Sequence, residues 1–127
     1  MEKFYLAATN NTPEVDFDFP QRRLSLKGES YPESAAAFYG DILTKTNAFL
    51  DTLDQEKIDV SIQLLYFNSS STKMLFSFFE MLYQAAEAGN AVRLDWYHDV
   101  DDETILEFGL ELAEDFPAIE FHAHAVE

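Results

Sequence analysis

Five extended stretches of this chain alternate apolar and polar residues, and none of the five is apolar throughout. Val15, Phe17 and Phe19 alternate with Asp16 and Asp18, and Leu24 and Leu26 with Ser25 and Lys27. Ile58, Val60, Ile62 and Leu64 alternate with Asp59, Ser61 and Gln63. Val92, Leu94 and Trp96 alternate with Arg93, Asp95 and Tyr97, and Ile119, Phe121 and Ala123 with Glu120, His122 and His124. A period of two sends the two residue types to opposite faces of a strand. Strands covered on both faces read instead as continuous apolar runs. The sheet therefore has one covered face and one wet face.

The cover comes from apolar stripes at helical spacing between the strands. One runs over about 33–53 through Phe38, Ile42, Phe49, Leu50 and Leu53, with Tyr39 and Leu43 widening it. The next carries Leu75, Phe78, Phe79, Leu82 and Ala86, and the last Ile105, Phe108, Leu112 and Phe116 before Pro117 stops it. Right-handed crossovers bring all of them to one face if successive strands add in one direction. The order ββαβαβαβ, with residues 4–7 as a further short strand or an ordered arm, predicts a two-layer α/β domain. Its sheet is mixed and starts with an antiparallel hairpin whose second strand ends at Gly28. Pro32 suits the first turn of the first helix. No repeat, low-complexity tract or linker divides residues 1–127, so a single domain is expected.

Lys and Arg number 8 against 24 Asp and Glu, a net charge of −16. Such a surface repels phosphate backbones and anionic lipid, which argues against nucleic acid and membranes as partners. It suits a basic patch on another protein. Cysteine is absent, which excludes disulfides, thiolate catalysis and Cys-based zinc sites. No signal peptide and no membrane-length apolar run is evident, and a cytoplasmic location is expected.

The stretch Leu64–Lys73 concentrates the chemistry. An apolar strand stops at Asn68, Ser69, Ser70, Ser71 and Thr72, and an apolar helix follows at once. Hydroxyls thus gather at a helix N-terminus, at the carboxyl end of a sheet strand, where open α/β sheets carry their functional groups. A helix cap needs only one such residue; the surplus marks a site. Leu65 and Phe67 break the alternation by placing apolar side chains on the nominally wet face. They form a sticky patch beside the hydroxyls or lie under the N-terminal arm.

Other groups are open to plainer readings. Glu29 and Glu33 flank Tyr31 and can do acid–base work only if burial raises one of them. His98, Asp99, Asp101, Asp102 and Glu103 lack the glycine and spacing of a calcium loop and read as an acidic helix entry. His122 and His124 offer half a zinc site without a third ligand. No Gly-x-Ser-x-Gly elbow accompanies the serines, and no glycine-rich phosphate loop is present. A small metal-binding or hydrolytic domain using the acidic segments is the alternative class, and an unphosphorylated adaptor a further one.

Gly28-x-Ser30-Tyr31-Pro32-Glu33 followed by Phe38-Tyr39, then Tyr66-Phe67-Asn68-Ser69-Ser70-Ser71-x-Lys73, then Trp96-Tyr97 with a following Asp, resembles the SiaC family of bacterial regulatory phosphoproteins. The resemblance runs from about 9 to 116. That family is similar to the anti-sigma-factor antagonists (STAS domains), which carry a phosphorylatable hydroxyl at a strand-to-helix turn. The resemblance implies a non-enzymatic partner switch without cofactors. It implies a Ser/Thr protein kinase that phosphorylates the residue after the Asn, a metal-dependent Ser/Thr phosphatase, and an output protein such as a diguanylate cyclase, bound when unphosphorylated. The implied acceptor is Ser69, with Ser70 and Ser71 as alternatives. The implied partner surface comprises Tyr31, Pro32, Glu33, Leu65, Phe67, Asn68, Ser70, Ser71, Thr72 and Lys73. Lys73 stands in the first helical turn, within reach of a phosphate.

Overall fold

A computed structural model describes residues 1–127. The chain forms β1 (Phe4–Leu6), β2 (Glu14–Asp18), a 3-10 turn (Phe19–Gln21), β3 (Arg23–Ser30), α1 (Ala35–Leu50), β4 (Lys57–Phe67), α2 (Ser69–Glu87), β5 (Ala91–Asp99), α3 (Glu103–Asp115) and β6 (Glu120–Val126). The six strands lie side by side in chain order. β1, β2 and β3 are antiparallel, and β3 through β6 are parallel. Because every parallel strand adds in one direction, the right-handed crossovers leave all the helices on one side.

Up to Leu64 the inward residues of β2 to β5 are those the alternation assigns; in the edge strand β6, Ala123 is exposed while His122 and His124 are half-buried. Val15, Phe17, Leu24, Leu26, Ile58, Val60, Ile62, Leu64, Val92, Leu94 and Trp96 are all buried. They meet the helices directly: Phe17 stacks on Phe78 of α2, Phe19 meets Phe49 of α1, and Trp96 stacks on Phe108 of α3. The other face carries Lys27, Asp59 and Arg93 in solvent. Residues 4–6 are a strand, hydrogen-bonded along β2 at one edge of the sheet.

The boundaries depart from the sequence reading at three points. β3 does not end at Gly28 but continues to Ser30. Pro32 lies before the first helix, not in it: Ser34 is the cap, its hydroxyl accepting from Ala37 N–H, and α1 starts at Ala35. α1 also stops at Leu50, short of Leu53. A strand that must reach the hydroxyl turn keeps the chain extended past Gly28, and the capping serine then fixes where helix can begin.

Trp96 is the hinge between β5 and α3. Its indole N–H donates to Ile105 O at 3.0 Å. A Cβ on Gly109 would stand 2.6 Å from Trp96 Cδ1 and Nε1 and 3.0 Å from Phe121 Cζ. Only a residue without a side chain lets α3 lie this close to the indole. Gly109→Ala should therefore lower stability by about 1–3 kcal/mol through overpacking, despite alanine's better helix propensity. Urea unfolding followed by fluorescence of the lone tryptophan checks this; a variant as stable as the parent would mean α3 has room to spare.

Candidate functional site

The site is shaped first by a bulge in the central strand. β4 pairs in register with β3 up to Leu64 opposite Gly28, and resumes with Tyr66 opposite Glu29 and Phe67 opposite Ser30. Leu65 is the surplus residue. Gly28 makes the irregularity tolerable on its side: its φ of +130° is open to glycine, and a Cβ would meet Pro13 Cα at 3.4 Å. The extra residue resets the alternation. Leu65 and Tyr66 are both exposed, at 56 % and 51 %. Phe67 turns inward, with its ring edge-on to Phe108 at 4.9 Å and to Trp96 at 6.4 Å. The expectation that Phe67 lies on the wet face is thus overturned, because counting by twos fails across a bulge. The N-terminal strand pairs with β2 at the far edge and leaves Leu65 bare.

Asn68 ends β4 and caps α2. Its side-chain oxygen accepts from Ser71 N–H at 2.9 Å, and its carbonyl accepts from Thr72 N–H at 2.9 Å. Ser69 and Ser70 occupy the first two helical positions and are exposed. Their N–H groups have no carbonyl four residues back within the helix, so they contribute to the positive end of its dipole. Thr72 is half-buried, with its hydroxyl donating to Asn68 O at 3.1 Å. Lys73 is exposed, four residues after Ser69 on the same helical face, and in no ion pair with a carboxylate.

Ser71 has a different fate. It is fully buried and donates to Ser30 O at 3.0 Å. Ser30 Oγ, also fully buried, donates to Ser71 Oγ at 2.8 Å. With the Ser30 proton committed there, the 2.6 Å contact to Tyr39 OH requires the phenol to donate. Burial pushes the Tyr39 phenol up, which keeps that proton in place. Tyr39, Ser30 and Ser71 thus form a one-way relay joining α1, β3 and α2. The Ser30 carbonyl also accepts from Asn68 N–H at 3.0 Å. The turn is bolted to the end of β3 by its third serine, while the first two point into solvent.

The Gly28–Glu33 segment lies alongside. Tyr31 is exposed, its N–H donates to Asn11 O at 2.8 Å, and its ring stands 5.8 Å from that of Tyr66, edge-on. Pro32 is buried and Glu33 exposed. Sequence reasoning singled out Leu65 but missed Tyr66, whose exposure depends on the bulge. Tyr31, Leu65 and Tyr66 thus form an apolar patch beside two solvent-facing serines.

The other candidate side chains are engaged locally. Asp102 Oδ1 caps α3 by accepting from Ile105 N–H at 3.0 Å, and Asp99 Oδ1 accepts from Asp101 N–H at 2.8 Å. His122 meets Glu120 at 2.9 Å and His124 meets Asp95 at 2.7 Å. Burial pushes the Asp95 carboxyl up, but hydrogen bonds from Arg93 and His124 outweigh it and hold the group below the usual carboxylate range. No three His, Asp or Glu side chains converge where they could hold a metal ion. No helix is long and apolar enough to cross a membrane.

A one-sided α/β sheet with solvent-facing hydroxyls at the N-terminus of a helix, beside an apolar patch, describes a small domain whose distinctive chemistry lies on its surface. Comparison with known proteins narrows that class. The sequence model described as SiaC family regulatory phosphoprotein matches residues 6–126, and the chain belongs to that family. An uncharacterized protein of Pseudomonas aeruginosa strain UCBPP-PA14 is 33 % identical over 125 residues, spanning 96 % of this chain and 98 % of the other. The crystal structure of apo-SiaC from Pseudomonas aeruginosa superposes with a TM-score of 0.89 at 30 % identity, over 98 % of this chain and 100 % of that one. A crystal structure of the diguanylate cyclase SiaD in complex with its activator SiaC, from the same species, matches with a TM-score of 0.84 at 32 % identity, over 95 % and 99 % of the two chains.

Ser71→Ala removes the acceptor of a buried hydroxyl and should cost about 1–3 kcal/mol. Ser70→Ala, at an exposed position, should change stability by less than about 0.5 kcal/mol. Urea melts of the two variants side by side check the difference; equal effects would dismiss the relay.

Proposed function

We propose that this protein is a partner switch: unphosphorylated, it binds and activates a diguanylate cyclase, and phosphorylation of Ser69 abolishes that binding. The observation that carries the reading is the pairing of an exposed Ser69 with the bare Leu65–Tyr66 step, separated only by Phe67 and Asn68. Family membership and the structural likeness to SiaC bound to SiaD support it. The whole of residues 1–127 acts as one regulatory domain in the cytoplasm. It is not itself an enzyme; a Ser/Thr kinase and a metal-dependent phosphatase set its state.

Among the hydroxyls, exposure leaves two acceptors. Ser71 is sealed in the relay and Thr72 is bonded to the Asn68 carbonyl. Ser69 and Ser70 both face solvent, and Ser69 follows the Asn as the family pattern requires. A phosphate there adds roughly −1.5 to −2 charge and three acceptor oxygens. It sits at the positive end of α2, with Lys73 one turn on, so the domain stays folded. The cost falls on the complex. A partner covering Leu65, Tyr66 and Tyr31 would bury a new dianion against apolar surface, and each 1.4 kcal/mol or so lost is a tenfold weaker complex.

Phosphopeptide mapping of the protein from its own host, beside Ser69→Ala, tests the site. Phosphate confined to Ser69, and absent from the variant, is the expected result. Phosphate on Ser70 would move the site by one residue, and none under any growth condition would leave a plain adaptor. For the output, the unphosphorylated protein should retain a diguanylate cyclase of its host on a column and raise its activity. The phosphorylated protein should do neither, and Leu65→Asp should reduce both by about tenfold or more, as loss of a buried apolar anchor does.

A further inference from the structure

The pairing of β4 with β5 stops at Ile62 opposite Trp96, although β4 runs on to Phe67 and β5 to Asp99. Beyond that point the strands part, and a groove of about 420 Å³ opens between the end of β4 and α3. Its floor is apolar, made by Leu65, Tyr66, Phe67 and Phe108. Its rim is acidic, made by Asp102, Glu107 and Glu111. A second concavity continues past Leu65 along Asp99, Asp101 and Glu103. No Lys or Arg lines either hollow, and none of these six carboxylates takes part in an ion pair.

We propose that this groove is the docking site for a basic, amphipathic segment of a partner protein, with apolar side chains on the floor and arginines or lysines on the Asp102–Glu107–Glu111 rim. Resting on the partner-binding reading above, this names the chemistry of the partner. Unpaired carboxylates around an apolar floor repel one another, and a cationic segment relieves that repulsion while the floor supplies burial. An acidic or purely apolar segment would leave the rim charges desolvated and unpaired. The rim residues belong to α3 and its cap, while Ser69 is the first residue of α2.

The test uses the isotopically labelled full chain and a synthetic peptide with leucines on one side and arginines on the other, beside its glutamate-for-arginine counterpart. The arginine peptide should shift the amide signals of Leu65, Tyr66, Thr104, Glu107 and Phe108, and the glutamate peptide should not. Glu107→Lys with Glu111→Lys should weaken the arginine peptide by about tenfold or more and admit the glutamate peptide. Asp51→Lys with Asp54→Lys makes the same change in net charge on exposed residues at the opposite end of the parallel strands, and should weaken it by no more than about threefold. Equal weakening by both pairs, or shifts centred on the open sheet face, would overturn the proposal. The two readings separate on the host's cyclase. If it binds the wild type and Glu107→Lys/Glu111→Lys equally, the groove inference fails while the partner reading stands. If no cyclase binds the wild type, the partner reading fails and the peptide map alone decides the groove.

Discussion

Between Gly28 and Glu29, β4 advances by two residues while β3 advances by one, and the surplus Leu65 has no partner across the ladder. Everything distinctive about this end of the molecule depends on that mismatch. A strand in uninterrupted register would send Phe67 to solvent and Tyr66 into the core. The bulge reverses both, giving Trp96 and Phe108 an aromatic neighbour and giving the surface two adjacent apolar side chains. The pairing of β4 with β5 ends at Ile62, before the bulge, and the groove beside α3 lies past that point. The left-handed backbone at Gly28 is the local condition that makes the irregularity affordable.

Rigidity at the hydroxyl turn complements that irregular strand. Asn68 N–H and Ser71 Oγ both donate to the Ser30 carbonyl, and the Tyr39–Ser30–Ser71 relay fixes the proton order behind it. A turn held by buried, mutually satisfied hydroxyls resists rearrangement, since any shift leaves a polar group unpaired in the interior. A charge added at the outer serines would therefore change what the surface presents rather than how the chain is folded. The same economy appears at Trp96, whose N–H holds an α3 carbonyl and whose ring demands a glycine above it.

How much of this was legible in the sequence can be read from individual residues. Strict alternation in the strands assigned the buried face, and sequential strand addition put the helices on one side. The hydroxyl run was visible because four hydroxyl residues after Asn68 exceed what a cap requires. Within the run, however, sequence could not exclude Ser70 or Ser71 beside Ser69: the three are identical in type, and only packing against Ser30 separates the third from the first two. Tyr66 was invisible as a surface group and Phe67 was put on the wrong face for one reason, the unmarked bulge at Leu65. Pro32 read as a helix start because proline suits that position, yet Ser34 provides the cap.

Local chemistry that repeats along the chain was therefore determined by the sequence alone: the two-layer α/β architecture, the acidic surface, and the strand–hydroxyl–helix junction. Periodicity carries such information because each side chain's face follows from its neighbours'. What only the tertiary structure decided is the register across the β3–β4 ladder, the burial of Ser71, the meeting of Tyr31 with Tyr66, and the acidic rim that α3 sets around the end of β4. Each of these depends on residues far apart in the chain coming into contact, and no local pattern encodes the offset between two strands once one of them carries an extra residue.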